Sequence, residues 1–151
     1  MNNNFLKLLS YSNKLKKENK SLRKENPEQF KQFLDFLVVI EENLHYLKKE
    51  EYMELSVDFL NDEISADDFS SYFMSIYENV NKRLIKMQEN QIQELQNLLE
   101  KKTTNERKLN LLLARIYGAC DAFSLDLEIN RSSKKELKNY AKLLLLELQE
   151  K

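Results

Sequence analysis

Apolar side chains recur at the spacing of amphipathic helices along most of the chain, and capping signals separate the segments. Asn26 and Pro27 suit the N-cap and the first helical position, and the apolar pattern that follows predicts a helix to about Lys49. Residues 50–61 predict a shorter helix. The sequence SADD, residues 65–68, is a further capping signal and predicts the start of the next helix.

The second half of the chain predicts three more helices. They cover about residues 80–101, 104–123 and 133–149, and capping signals at Thr103 and Ser133 precede the last two. The helix that follows SADD is expected to end before residue 80, so the pattern predicts a break there.

Two further expectations concern the N-terminus and the one glycine. Residues 4–24 predict a weakly amphipathic helix, because a few apolar residues stand among many charges. Gly118 and Ala122 are four residues apart, and this spacing of small residues allows a neighbouring helix to approach closely.

The composition favours an all-α fold. The chain of 151 residues contains one Gly and one Pro, which leaves almost nothing to build the tight turns of a β-sheet. We therefore expect a four-helix bundle over about residues 50–150, with one or two additional N-terminal helices. As domains, we predict a basic N-terminal helix or extension over residues 1–25 and a single helical-bundle domain over residues 26–151.

Charge is distributed unevenly although the net charge is only −1. Residues 1–25 carry a net charge of +5, residues 26–80 carry −10, and residues 81–151 carry +4. A segregated pattern can steer a charged partner, whereas a fold that interleaves the segments would cancel the field. The sequence leaves both interpretations open.

Localisation is predicted from what the sequence lacks. No apolar run is long enough for a membrane span, and the N-terminus does not resemble a signal peptide. One Cys excludes an internal disulfide. The abundance of Lys and Asn is typical of an AT-rich genome, so we expect either a bacterial cytoplasmic protein or one in an organelle such as a plastid.

The strongest candidate site is a cluster of acids in DFLNDEISADDF, residues 58–69. This stretch lacks the glycine that a calcium-binding loop of the EF-hand type needs at its sixth position. Helix-dipole stabilisation explains the two acids that follow Ser65, but it does not explain why three more crowd the same corner. We predict that these acids bind a partner: Asp58, Asp62, Glu63, Asp67 and Asp68.

Other chemistry finds little support. His45 is the one histidine, so neither a zinc site nor a catalytic dyad is indicated, and surface or half-buried packing is expected for it. Cys120 lies at a core position of its predicted helix, which favours packing over nucleophilic chemistry. We predict no enzyme activity, no metal and no cofactor. The basic residues before residue 25 are expected to form a solvated helix face rather than a nucleic-acid site.

One stretch resembles a known family. YMELSVDFLNDEISADDFSSYFMSIY, residues 52–77, resembles the first helix pair of the bacterial self-protective colicin-like immunity family, to which the colicin D-type immunity proteins belong. Residues 112–126 and 132–148 resemble the third and fourth helices of that family. The matched positions in the first pair are Phe59, Leu60, Ile64, Ser65, Ala66 and Phe69.

The resemblance implies a helical bundle that blocks a tRNA-cutting toxin by presenting acids to its basic cleft. Together with the residues themselves, it favours a non-catalytic protein that docks an acidic helix corner on a protein partner with a basic surface. The alternative is a structural subunit or assembly factor of a larger complex, which the extra N-terminal helices favour. The partner and the oligomeric state stay open.

Overall fold

The described residues form α-helices. The structure is a computed structural model that describes residues 3–101, 108–125 and 131–149. The helices are α1 (Asn3–Lys17), α2 (Leu22–Glu25), α3 (Pro27–Tyr46), α4 (Lys49–Leu60), α5 (Ala66–Asn90), α6 (Ile92–Glu100), α7 (Lys108–Leu125) and α8 (Arg131–Gln149). The described residues contain no strand, which confirms the all-α prediction.

Two of the predicted caps are present. Asn26 accepts a hydrogen bond from the backbone N–H of Gln29 at 3.1 Å, and Ser65 accepts one from that of Asp68 at 3.1 Å. Such bonds satisfy donors that the first turn of a helix would leave unpaired. The predicted cap at Thr103 lies outside the described residues, and the predicted cap at Ser133 is wrong because α8 already begins at Arg131.

The predicted break near residue 80 is also wrong. Helix α5 runs without interruption from Ala66 to Asn90, and the chain leaves the helical conformation only at Gln91, with φ −128° and ψ 51°. No glycine or proline interrupts this segment. Val80 and Leu84 continue its buried side, and this burial favours a continuous helix across the predicted break.

The predicted helix over residues 4–24 is divided by a turn. Asn19 adopts a left-handed conformation with φ 59°, which asparagine tolerates better than most residues. The N–H of Lys20 donates to the carbonyl of Leu15 at 2.8 Å, and the N–H of Asn19 donates to that of Lys16 at 3.1 Å. These two bonds form a Schellman motif that ends α1.

One hydrophobic core is shared by α4, the first half of α5, α7 and α8. Aromatic rings dominate its centre, where Phe59 and Phe69 stack with centroids 4.5 Å apart and Phe73 follows at 6.0 Å from Phe69. The buried members of this first core are Tyr52, Leu55, Phe59, Ala66, Phe69, Phe73, Leu109, Leu113, Ile116, Cys120, Phe123, Leu137, Ala141, Leu144 and Leu148.

A second core lies among α1, α2, α3, the second half of α5, and α6. Phe5 of α1 is fully buried there, with ring centroids 6.0 Å from Phe33 and 5.6 Å from Phe36. Asn43, which is buried, donates to the carbonyl of Leu98 at 2.6 Å and so satisfies the end of α6. The first helix therefore packs against the rest of the chain, while the domain boundary at residue 25 stays a prediction.

The small residues of α7 do not lie at a helix contact. Gly118 and Ala122 are exposed, and a Cβ added at Gly118 would meet no atom within 4 Å. The close approach of a neighbouring helix that this spacing allows does not occur at Gly118. Among the described helices, none combines the length and the apolar character that crossing a membrane requires.

Candidate functional site

Carboxylates without cationic partners are concentrated on α4 and the start of α5. Residues 50–81 contain nine acids and neither Lys nor Arg. Glu51 is paired with Lys48 at 3.5 Å, and Asp62 is paired with Lys138 at 2.5 Å. Glu78 lies further along α5 and accepts a hydrogen bond from the Tyr117 hydroxyl at 2.8 Å. The other six acids form no ion pair in the described part of the chain, and we call them the acidic surface: Glu50, Glu54, Asp58, Glu63, Asp67 and Asp68.

A groove of about 300 Å³ opens between α4 and α5. Glu51, Glu54 and Asp58 line it from α4, because residues spaced by three and four lie on one side of a helix. Tyr72 and Ile76 line it from α5. The ring of Tyr72 is 57% exposed, so the groove joins carboxylates to an accessible aromatic surface.

Acids of α4 that lie four residues apart repel each other. Glu50 and Glu54, and again Glu54 and Asp58, stand four residues apart. Like charges at this spacing cost about 0.2–0.5 kcal/mol per pair in an isolated helix. Because the described residues provide no ion pair for these three acids, the surrounding fold leaves this repulsion in place.

The corner between α4 and α5 is a Schellman motif with aspartate at the position where glycine is usual. Asp62 has φ 58°. Its N–H donates to the carbonyl of Phe59 at 3.1 Å, and the N–H of Glu63 donates to the carbonyl of Asp58 at 2.9 Å. Aspartate adopts the left-handed conformation at a lower cost than most residues, so the sequence turns here without a glycine.

Lys138 of α8 joins this corner to the bundle. Its Nζ donates to Oδ1 of Asp62 at 2.5 Å and to the carbonyl of Phe59, and it lies 4.4 Å from the centroid of the Phe59 ring. The hydrogen bond and the positive charge of Lys138 lower the pKa of Asp62 below its ordinary value of 3.8. The negative charge of Asp62 is thus balanced by Lys138, whereas the other four acids predicted from the sequence have no such partner among the described residues.

The Asp62–Lys138 pair makes a testable prediction about stability in acid. A pKa lowered by folding gives a stabilisation that is fully present above about pH 3.8 and is lost as pH falls through the lowered folded value. We expect Asp62→Asn to reduce the free energy of unfolding at neutral pH, and the difference from the wild type to shrink below about pH 4. Urea titrations between neutral and acid pH measure this difference.

Glu63→Gln is the control for Asp62→Asn, because Glu63 is exposed and belongs to no described ion pair. The difference in the free energy of unfolding between Glu63→Gln and the wild type should depend less on pH than that of Asp62→Asn. Equal pH profiles for the Asp62 and Glu63 variants would contradict the role given to Lys138.

The five acids predicted from the sequence lie in different surroundings. Asp58 lies in the groove, and Glu63, Asp67 and Asp68 are exposed around the corner. Asp68 stands one turn before Tyr72 on the same side of α5. The roles of all five in partner binding stay a prediction.

Sequence reasoning missed six residues that line the groove: Glu51, Glu54, Leu55, Tyr72, Ser75 and Ile76. The spacing of acids at positions 51, 54 and 58 was the signal that could have found the α4 side of the groove. To predict the groove residues of α5, the packing angle between α4 and α5 must be known, and the sequence alone does not give this angle.

His45 is more deeply buried than the surface or half-buried position predicted for it. Its side chain is fully buried, Nδ1 lies 2.8 Å from the hydroxyl of Tyr52, and its ring stacks on Tyr77 with centroids 5.1 Å apart. The partners come from α4 and α5, and this explains why the local sequence around His45 predicted less burial.

Cys120 packs in the first core as predicted. Burial raises the pKa of its thiol to about 11, so it is a poor nucleophile at neutral pH. Within residues 3–101, 108–125 and 131–149, no group of three His, Cys, Asp or Glu side chains is placed to hold a metal ion.

Comparisons of this chain with protein-family models, curated proteins and solved structures found no match. The resemblance of residues 52–77 to the colicin-like immunity family therefore stays a prediction that rests on the residues themselves. In the structure, its matched positions serve the corner, since Phe59 and Phe69 form the central stack and Ser65 caps α5.

Proposed function

We propose that this chain is a non-catalytic binding protein that docks the acidic surface and its groove on a basic surface of a protein partner. One observation carries the proposal: six carboxylates on α4, the corner and the first turn of α5 have no ion pair in the described residues. A surface with an excess of one charge accelerates the encounter with an oppositely charged partner and opposes wrong partners.

Binding would relieve the repulsion that folding leaves in place. Lys or Arg side chains brought between Glu54 and Asp58 would convert a destabilising pair into charge-assisted hydrogen bonds. The exposed ring of Tyr72 offers an apolar contact beside these charges. Tyrosine in such a position is a frequent source of binding energy at protein interfaces.

The resemblance to immunity proteins suggests the kind of partner. In that interpretation the basic surface belongs to a nuclease toxin, and the carboxylates occupy the places of RNA phosphates. The rigid support of the corner is consistent with this role, because the Phe59–Phe69 stack and Lys138 hold the corner from beneath.

A second candidate is a structural subunit or assembly factor of a larger complex. Exposed leucines favour it: Leu143 and Leu146 of α8 are 50% and 57% exposed and lie three residues apart. An apolar surface of this kind would hold a neighbouring subunit through contacts that salt does not weaken.

The test is the capture of partners from an extract of the native host, at low and at high salt, followed by mass spectrometry. The test variant carries Glu54→Gln, Asp58→Asn, Asp67→Asn and Asp68→Asn. The matched control carries Glu25→Gln, Glu28→Gln, Glu89→Gln and Glu94→Gln. Both variants lose four exposed or half-exposed charges, and both lose acids from the first turn of a helix.

We expect the wild type and the control to retain the same basic protein at low salt and to release it at high salt. The test variant should retain much less of it. Equal capture by the test and control variants would refute the acidic docking surface. Capture of an assembly that survives high salt would favour the structural subunit instead.

A further inference from the structure

A second cavity lies between α3, α5 and α7, and it shares no lining residue with the groove. Its volume is about 230 Å³. The lining consists of Val38, Glu41, Tyr77, Asn110, Leu111 and Ala114. We call this cavity the α3–α7 cleft. Its position on the other helices makes it independent of the proposed docking surface.

Hydrogen-bond acceptors dominate the polar wall of the cleft. The side chain of Glu41 is 24% exposed, and its Oε1 lies 3.6 Å from Nε2 of His45, beyond hydrogen-bond distance. The amide nitrogen of Asn110 donates to the carbonyl of Val38 at 2.8 Å. Oδ1 of Asn110 is buried without a hydrogen-bond partner, so two acceptors are available.

His45 lies directly behind this wall. It is fully buried, Nε2 has no hydrogen-bond partner and is directed at Glu41, and its ring stacks on Tyr77. The hydroxyl of Tyr52 lies 2.8 Å from Nδ1 on the other side of the ring.

Glu41 lies at the edge of the core. Its negative charge contributes to the raised pKa values of both Tyr52 and Tyr77, although desolvation is the larger cause for each. A half-buried carboxylate is costly and is normally paired or hydrogen-bonded. A cation that can donate hydrogen bonds would therefore suit the α3–α7 cleft.

We propose that the α3–α7 cleft binds a protonated alkyl amine or an alkyl guanidinium. Glu41 would supply the opposite charge and Asn110 a second acceptor. Leu111 and Ala114 would contact the alkyl chain. A cavity of 150 Å³ holds benzene, so this volume suits about nine non-hydrogen atoms.

The same chemistry is present in a free small amine and in a Lys or Arg side chain of a bound protein. Hexylamine and butylguanidine are therefore the first probes, with hexanol as an uncharged probe of the same length. Binding is followed by ¹H–¹⁵N NMR at low salt. We expect the two cations to shift the amide signals around Glu41, Tyr77 and Asn110. The affinity for hexanol should be lower by a factor of about ten or more.

Three variants make the experiment specific. Glu41→Gln keeps the shape of the side chain and should weaken amine binding about tenfold or more. Ala114→Leu fills the cleft from an exposed position. It should block the binding of the amine although the Glu41 carboxylate is still present. Glu54→Gln removes a charge from the groove and should leave amine binding unchanged, so this proposal and the docking surface can fail separately.

The source of the cation is tested with arginine whose α-amino and carboxyl groups are blocked. Binding at least as tight as that of butylguanidine would assign the cleft to a protein side chain, and binding of the small amines alone would assign it to a free amine. Equal binding of hexanol, or wild-type affinity in Glu41→Gln, would overturn the proposal. So would binding by Ala114→Leu that matches the wild type.

Discussion

Replacement of Phe69 by alanine is expected to lower the free energy of unfolding by about 3–5 kcal/mol, the usual cost of removing a buried aromatic side chain. The Phe69 side chain is fully buried and stacks on Phe59 at 4.5 Å and on Phe73 at 6.0 Å. Its loss leaves a cavity beneath the corner that carries the acidic surface. Urea denaturation followed by circular dichroism measures the change.

Tyr72→Ala on the same helix is the control for Phe69→Ala, because Tyr72 is 57% exposed. It should change the free energy of unfolding by about 0.5 kcal/mol or less, as surface substitutions usually do. If the two variants were equally stable, the first core would not be packed around Phe69 as described.

Replacement of Phe5 by alanine is expected to cost about 3–5 kcal/mol as well, although Phe5 lies in the first helix of the chain. Its ring is fully buried against Phe33 and Phe36 of α3. Since α5 runs through both cores, we expect the variant to unfold in a single transition at a lower urea concentration.

Lys7→Ala is the control on the same helix, because Lys7 is exposed. It should leave the free energy of unfolding nearly unchanged. A wild-type midpoint for Phe5→Ala would mean that α1 is a loosely attached extension. Two separate transitions would mean that the two cores fold independently.

Local signals in the sequence predicted the elements that local chemistry decides. The helix after Asn26 and the helix after Ser65 both begin where the capping residues stand, because the caps act on backbone groups only three residues away. The near absence of glycine and proline predicted the all-α class, because tight turns between strands depend on these residues at local positions. Composition and short spacings carry this information directly.

Features that depend on contacts between distant segments were missed. Lys138 and Asp62 are 76 residues apart, and no local pattern indicates that they meet. The burial of His45 depends on Tyr52 and Tyr77 from two other helices. The groove likewise needs α4 and α5 side by side, so the sequence predicted the acids of the corner but not Tyr72 or Ile76.

The energetic balance at the corner explains how the acidic surface is tolerated. Buried aromatic rings contribute several kilocalories per mole, whereas each like-charged pair on α4 costs about 0.2–0.5 kcal/mol. The stack of Phe59 on Phe69 lies within the two helices that carry the carboxylates. The core therefore stabilises two helices whose surface carboxylates repel each other.

Carboxylate footprinting of the free and the captured chain tests the acidic docking surface most directly. A carbodiimide couples an amine to each accessible carboxylate, and mass spectrometry measures the labelling of each peptide. We predict that the captured chain loses labelling at Glu54, Asp58, Asp67 and Asp68, whereas Glu89 and Glu94 label equally in both states. Unchanged labelling of the first four acids, with protection elsewhere, would contradict the account.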